Sequence, residues 1–332
     1  MARILVTGTA GFIANHVAAH MLQRGHEVVG VDNFNDYYPV ELKEKRHALL
    51  ADKDNYEGHR FCLTDKEKTE RLIIDGGFDV VCHLAAQPGV RYSITHPHSY
   101  IAANVQSFLH ILEGCRHAHK KPRLVYASSS SVYGGLTELP FTETQRVDSP
   151  ISLYAATKKC DELFAHTYSH LYDLQTVGLR FFTVYGPWAR PDMMMWIFTE
   201  AIHYGLPLKL FGEGKLERSF TDVSDIVAGV YSACFSEELS AYEVFNLGND
   251  KKESVINVVE MMEEALGKKA NRVMLPPQPG DMRATWANVD YARDKLGFEP
   301  KTSFQQCLET FVAWFRDNGD MTDIVKDWRQ SS

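Results

Sequence analysis

Apolar runs of strand length recur along the first half of the chain: Ile4 to Thr7, Val28 to Asp32, Val80 to Ala85, Leu124 to Ser128 and Thr176 to Phe182, with helical stretches between them. That alternation predicts a parallel sheet whose strands are covered on both faces. The first helix, from about Phe12 to Arg24, is closed by Gly25, and the next strand starts at once, as a short right-handed crossover requires. Beyond Phe182 the pattern changes. Gly186-Pro187, Arg190-Pro191, Gly205-Leu206-Pro207, Gly212-Glu213-Gly214 and Pro276-Pro277-Gln278-Pro279-Gly280 interrupt shorter elements. Asp225 to Cys234 reads as a helix returning to the first unit. The fold class expected is α/β, a Rossmann-type doubly wound parallel sheet with a smaller, interleaved α/β substrate lobe. Residues 1–180, with about 219–246, would form the sheet domain; 181–218 and 247–332 would form the lobe.

At 332 residues the chain has ample apolar content for such a core. Its six cysteines are scattered, with no C-x-x-C spacing, which fits a reducing compartment and core thiols. His96-Pro97-His98 and His117-Ala118-His119 lack zinc-site spacing, so no metal is expected. The net charge of -8 is mild and spread out, which argues against a nucleic-acid partner. The amino terminus lacks the long apolar stretch of a signal peptide, and no run approaches membrane-spanning length. A soluble, cytoplasmic protein is expected.

Chemistry enters directly after the first strand, in Thr7-Gly8-Thr9-Ala10-Gly11-Phe12-Ile13-Ala14. Gly8 permits a tight turn and Gly11 a close backbone approach to a pyrophosphate, while the helix start offers free N–H groups and a positive dipole end. Such glycines also occur for backbone reasons alone. The second strand, however, ends in Val31-Asp32-Asn33, where a carboxylate receives ribose hydroxyls and repels a 2'-phosphate, so NAD is favoured over NADP. Further on, Tyr154-x-x-x-Lys158 puts a phenol and an ammonium on one helix face. Only about one phenol in a thousand is ionised at pH 7, and bringing it near neutrality takes roughly 4 kcal/mol of electrostatic help. Alone, this spacing also fits a snorkelling lysine beside a half-buried tyrosine. A second polar element, Ser128-Ser129-Ser130-Ser131-Val132-Tyr133-Gly134, closes an apolar strand at the end where doubly wound folds bind ligands.

With these three motifs in this order, the chain resembles, over nearly its whole length, the extended short-chain dehydrogenases that modify nucleotide sugars. Three stretches are similar to the UDP-glucuronate 4-epimerases: Asp32-Asn33-Phe34-Asn35-Asp36-Tyr37-Tyr38, Ala85 to Ser93 (AAQPGVRYS), and Arg180 to Met193 (RFFTVYGPWARPDM). The resemblance implies that Ser129 binds the sugar's C4 oxygen, that Tyr154 is the base, and that Lys158 holds the nicotinamide ribose and tunes the phenol. It implies NAD contacts from Gly8, Gly11, Phe12, Ile13, Asp32, Asn33, Leu63, Leu84, Ala85, Ala86 and Gln87. Substrate contacts are implied for Arg91, Asn104, Ser130, Ser131, Thr183, Arg190, Phe211, Arg218 and Asp281, with Asn104 and Arg218 on the diphosphate and Phe211 near uracil. A UDP-sugar carries two phosphate charges that an acidic protein must meet with specific cations. Helices around Tyr100 to His117 and Tyr154 to Tyr172 resemble those that pair in family homodimers. One departure stands out: where the family usually has an Asp to hold adenine, this chain has Cys62, a poor acceptor, unless Asp65 takes the place.

The resemblance also narrows the reaction. Related dehydratases and decarboxylases carry acidic residues after the catalytic hydroxyl, where this chain has Ser130 and Ser131. Similar UDP-galactose enzymes have an Asn where Thr183 sits. The reading is epimerisation of UDP-glucuronate to UDP-galacturonate through a 4-keto sugar formed by hydride transfer to NAD. Because that ketone is a β-keto acid, Ser130, Ser131 and Thr183 are expected to grip the carboxylate and prevent loss of carbon dioxide. The alternatives are UDP-glucose or UDP-N-acetylglucosamine (or its uronate) as substrate, a UDP-glucuronate decarboxylase, and a non-catalytic NAD-sensing scaffold.

Overall fold

The computed structural model describes residues 1–276 and 284–331. Seven parallel strands form the central sheet: β1 (Arg3–Thr7), β2 (Glu27–Asp32), β3 (Tyr56–Arg60), β4 (Val80–His83), β5 (Arg123–Ser129), β6 (Thr176–Phe181) and a last strand Tyr242–Leu247. Their spatial order is β3-β2-β1-β4-β5-β6 and then Tyr242–Leu247, so the winding direction reverses between β1 and β4. All five apolar runs are strands, although the run at Val80 ends at His83 rather than Ala85.

Successive side chains along the strands point to opposite faces and build two apolar layers. Ile4, Val6, Val28, Val80 and Val125 pack with Ala14, Val17, Ala18 and Met21 of helix α1 (Phe12–Gln23) and with Ile226, Val230 and Ala233 of the helix Val223–Phe235. Leu5, Val29, Val81, Leu124 and Tyr126 pack on the other side. There they meet Ile73 of α3 (Lys66–Gly76), Phe108 and Ile111 of the helix Ser107–His117, and Ala165 of the helix Leu153–Tyr172. Gly25, in the left-handed region at φ +80°, closes α1 as expected.

The edge strands are the ones that apolar pattern does not announce. β3 (Tyr-Glu-Gly-His-Arg) has a single partner strand and largely exposed residues, so a hydrophobic run there would be a liability. Tyr242–Leu247 pairs in parallel with β6, Leu247 opposite Phe181. Before it, Val223–Phe235 lies on α1, where the Tyr231 and His20 rings meet edge-to-face at 5.2 Å. The chain therefore leaves the sheet after β6 and returns to it.

Between and after these returns lie the smaller elements. Pro207–Phe211 pairs with Asn271–Leu275, and Glu217–Arg218 lies between Glu253–Ser254 and Ala284–Thr285. Trp196, fully buried on the helix Met194–Tyr204, packs its ring against Phe311, Trp314 and Phe315 of the helix Phe304–Asp317. Thr183–Tyr185 and Phe220–Asp222, a parallel pair, join this part to the sheet.

Candidate active site

The register that aligns Thr7 with Val31 and His83, and Ser129 with Phe181, gathers the carboxyl ends of the inner strands along one edge. A cleft opens there, at the reversal of strand order where doubly wound sheets bind ligands. Its cavity volume is about 400 Å³, within the roughly 300–1,000 Å³ of small-molecule sites.

One end of the cleft is the glycine turn. Gly8 takes φ +82°, its N–H donating to Val31 at 2.7 Å, and Gly11 N–H folds back onto the Gly8 carbonyl at 2.7 Å. A Cβ on Gly11 would stand 2.8 Å from that oxygen, so only glycine closes this turn. Gly11 is also the N-cap of α1 and supplies no side-chain cap, which leaves the first N–H groups of the helix for an anion. Asp32 sets the turn from β2, accepting from Ala10 N–H at 3.0 Å and Phe34 N–H at 2.8 Å. Cys62 does line this end, accepting from Thr64 Oγ1 at 3.1 Å and more distantly from Asn33 Nδ2. Asp65 does not replace it: its carboxylate is the N-cap of α3, bonded to Lys68 N–H at 3.2 Å.

At the other end, β5 runs into the serines, and each hydroxyl has a different fate. Ser128 is buried and donates to Glu162 at 2.7 Å, while Ser129 Oγ caps the short turn after the strand by accepting from Ser131 N–H at 3.1 Å. The half-buried Ser130 and Ser131 line the cleft beside Thr183. Glu162 is gripped bidentately by Arg180 at 2.8 and 2.9 Å, which overcomes the upward push of burial and holds its carboxyl below the usual range. Tyr154 and Lys158 project from the first turns of Leu153–Tyr172, whose start is capped by Ser152 accepting from Ala155 N–H at 3.1 Å. Lys158 is 2 % exposed and donates to the Ala127 carbonyl at 2.9 Å and to Asp161 at 3.1 Å.

The cleft thus unites Gly8, Gly11, Phe12, Ile13, Asp32, Asn33, Leu63, Leu84, Ala85, Ala86, Gln87, Ser129, Ser130, Ser131, Tyr154, Lys158, Thr183 and Arg190. Arg190 is held by Asp192 through two bonds of 2.9 and 3.0 Å. Asn104 does not line the cleft. Its buried amide accepts from Gln87 N–H at 2.7 Å and donates to the Gln87 carbonyl and Thr157, bracing the strand end that carries Gln87. It sits in a π-helical turn, Ile101–Gln106, where the expected helix from Tyr100 is wound wider. Arg91, Phe211 and Arg218 also lie off the cleft wall, the last two on short strands outside the central sheet. Asp281 lies outside the described residues.

Residues that sequence reading missed come from helix α2 (Val40–Ala51) and the loop before it. Lys43, 5 % exposed, lines the cleft and sits 4.5 Å from the Tyr38 ring centre; burial pushes its amine down to about 8, with Asp32 opposing. Arg46 is fully buried and donates to the carbonyls of Ala10, Trp188 and Ala189 and to the Tyr38 hydroxyl, tying the glycine turn to the loop that carries Arg190. The one available signal was a pair of basic residues three apart beside apolar Leu42 and Leu50.

Residues 4–248 match the model of the NAD dependent epimerase/dehydratase family. A UDP-glucuronate 4-epimerase of Arabidopsis thaliana is 44% identical over 329 residues, covering 94% of this chain and 75% of the plant protein. The Bacillus cereus UDP-glucuronic acid 4-epimerase, solved with UDP-glucuronic acid and NAD, superposes with a TM-score of 0.89 at 32% identity, covering 95% of this chain and 99% of that one. The Thermotoga maritima UDP-glucose 4-epimerase, solved with UDP-glucose, gives 0.85 at 31% identity, with coverage of 95% and 99%.

Proposed function

We infer the reaction from the family to which this chain belongs, the NAD-dependent epimerases and dehydratases: it is an NAD-dependent UDP-sugar 4-epimerase, acting on UDP-glucuronate to give UDP-galacturonate. The observation that carries the reading is the make-up of the cleft. A dinucleotide turn lies at one end, and Ser129, Tyr154 and Lys158 at the other, beside the hydroxyls of Ser130, Ser131 and Thr183. Among the described lining residues the one carboxylate is Asp32, at the cofactor end. Where related dehydratases carry acidic residues after the catalytic hydroxyl, this cleft has Ser130 and Ser131.

The turn fits NAD, because Gly11 leaves helix N–H groups uncapped and Asp32 stands where ribose hydroxyls bind. Bound NAD supplies a hydride acceptor that takes the C4 hydrogen and returns it to the opposite face. Tyr154 removes the C4 hydroxyl proton and later gives it back, Ser129 holds the C4 oxygen, and Lys158 favours the phenolate. Ser130, Ser131 and Thr183 grip the carboxylate so that its bond to C5 stays out of line with the ketone π system. Asn104 and Arg218 hold the diphosphate and Phe211 lies near uracil, with Arg91, Arg190 and Asp281 as further substrate contacts. Residues 1–180 and about 219–246 hold NAD, and 181–218 with 247–332 hold the UDP-sugar.

The working form is a cytoplasmic homodimer joined through Ser107–His117 and Leu153–Tyr172, which expose Leu109, Leu163 and Leu171. Incubation with UDP-glucuronate, with and without added NAD, and identification of the product by NMR tests the reaction. UDP-galacturonate is expected even without added cofactor. No conversion in either reaction, or faster conversion of UDP-glucose side by side, overturns the substrate assignment.

A further inference from the structure

Beneath the cleft the lysine of the reaction is paired with an acid. Lys158 and Asp161, 2 % and 1 % exposed, are joined at 3.1 Å, and the ammonium's second donor goes to the Ala127 carbonyl at 2.9 Å. Lysine has three donors, so one is left for a partner in the cleft that Lys158 lines. Tyr154, Lys158 and Asp161 follow at spacings of four and three, on one face of their helix. We propose that Asp161 is a positioning residue of the epimerase reaction: its carboxylate anchors Lys158 and offsets part of the charge with which Lys158 favours the Tyr154 phenolate. Asp161 acts through Lys158 and touches no substrate, and the proposal rests on the reading of Tyr154 as the base.

The surroundings make Asp161 the group that responds to pH. Burial pushes its carboxyl up to about 7, against the pull of Lys158 and with a further push from Glu162. Its second oxygen has no hydrogen-bond partner among the described residues, nor has the hydroxyl of Tyr126 from β5. Tyr126 is driven well above its usual range by burial, and Cys160, on the same helix, is raised by burial and by Asp161. Burial and the Lys158 charge hold His83 of β4 down to about 3, so it stays neutral. Glu162 stays ionised against Arg180 of β6 and Lys159, and Tyr242 of the last strand is raised by burial to about 12. Of these groups, Asp161 alone changes charge near neutrality. Above pH 7 the Lys158–Asp161 pair is neutral; below it Asp161 takes a proton and the lysine charge acts unopposed.

Asp161→Asn keeps the shape and never ionises. Seven residues of helix separate Tyr154 from Asp161, a rise of about 10 Å; at an effective dielectric of about 20, removing the negative charge lowers the phenol pKa by about one unit. The experiment compares wild type with Asp161→Asn in two ways: the acid limb of kcat against pH, and an ultraviolet difference titration of the Tyr154 phenol with Tyr154→Phe as blank in each background. Both should move down, by up to about one pH unit over the range above pH 7 in which wild-type Asp161 is ionised. Asp161→Ser, also uncharged, should move them the same way. Limbs and titrations that stay in place, or that move up, overturn the proposal. Wild-type failure to convert UDP-glucuronate would instead sink the assigned reaction, while the phenol titration would still decide the role of Asp161.

Discussion

Tyr154 and Lys158 meet in the cleft because four residues make just over one helical turn, and the lysine is then held from behind by Asp161 and the Ala127 carbonyl. Tyr154→Phe keeps the ring and its edge-to-face contact with Tyr100 but removes the acid–base group. It is expected to lower kcat by about 10²- to 10⁴-fold while UDP-glucuronate still binds, as calorimetry would show. Thr183→Ala and Ser130→Ala test the carboxylate grip: each should weaken UDP-glucuronate binding and release carbon dioxide during turnover. Unchanged affinity with no added carbon dioxide would remove both residues from the site. The hydroxyls of Ser129, Ser130, Ser131 and Thr183 were legible because they sit in or beside strand ends, where direction follows from the strand. Lys43 and Arg46 were not, because only the path of α2 across the glycine turn brings them inward. Asn104 was legible as a polar residue of interest, but its partner, the Gln87 backbone, belongs to a different stretch of chain.

The helix Leu153–Tyr172 starts at the residue before Tyr154, so the cap that begins it also places the proposed base. Ser152→Ala removes the bond to Ala155 N–H and should cost about 1 kcal/mol of stability, read as a lower urea midpoint. The same change should reduce kcat, since the first turn that carries Tyr154 frays first. Inner strands and long helices were legible as elements because burial on both faces demands continuous apolar residues, and α1 showed both its start at Gly11 and its stop at Gly25. β3 was hidden because an edge strand tolerates Glu57 and Arg60 facing solvent. Tyr242–Leu247 was hidden because it pairs with a strand left sixty residues earlier, and pairing partners leave no mark in local pattern.

Across the whole molecule, two neighbouring helices expose leucines: Leu109, Leu163 and Leu171 are 38 %, 56 % and 58 % exposed. Leu163→Glu combined with Leu171→Glu should turn a dimer into a monomer in sedimentation velocity, whereas a monomeric wild type would dismiss that interface. By itself the sequence determined the parallel sheet, the dinucleotide turn and the catalytic spacing, since each depends on residues close together in the chain and on periods that backbone geometry imposes. Only the tertiary structure decided that Arg46 clamps the turn to the loop of Arg190, that Asp65 caps α3 while Cys62 lines the cleft, and that Asp161 is buried under Lys158. Those facts depend on how distant segments exclude water from one another, and burial is what gives a charged or polar side chain its strength.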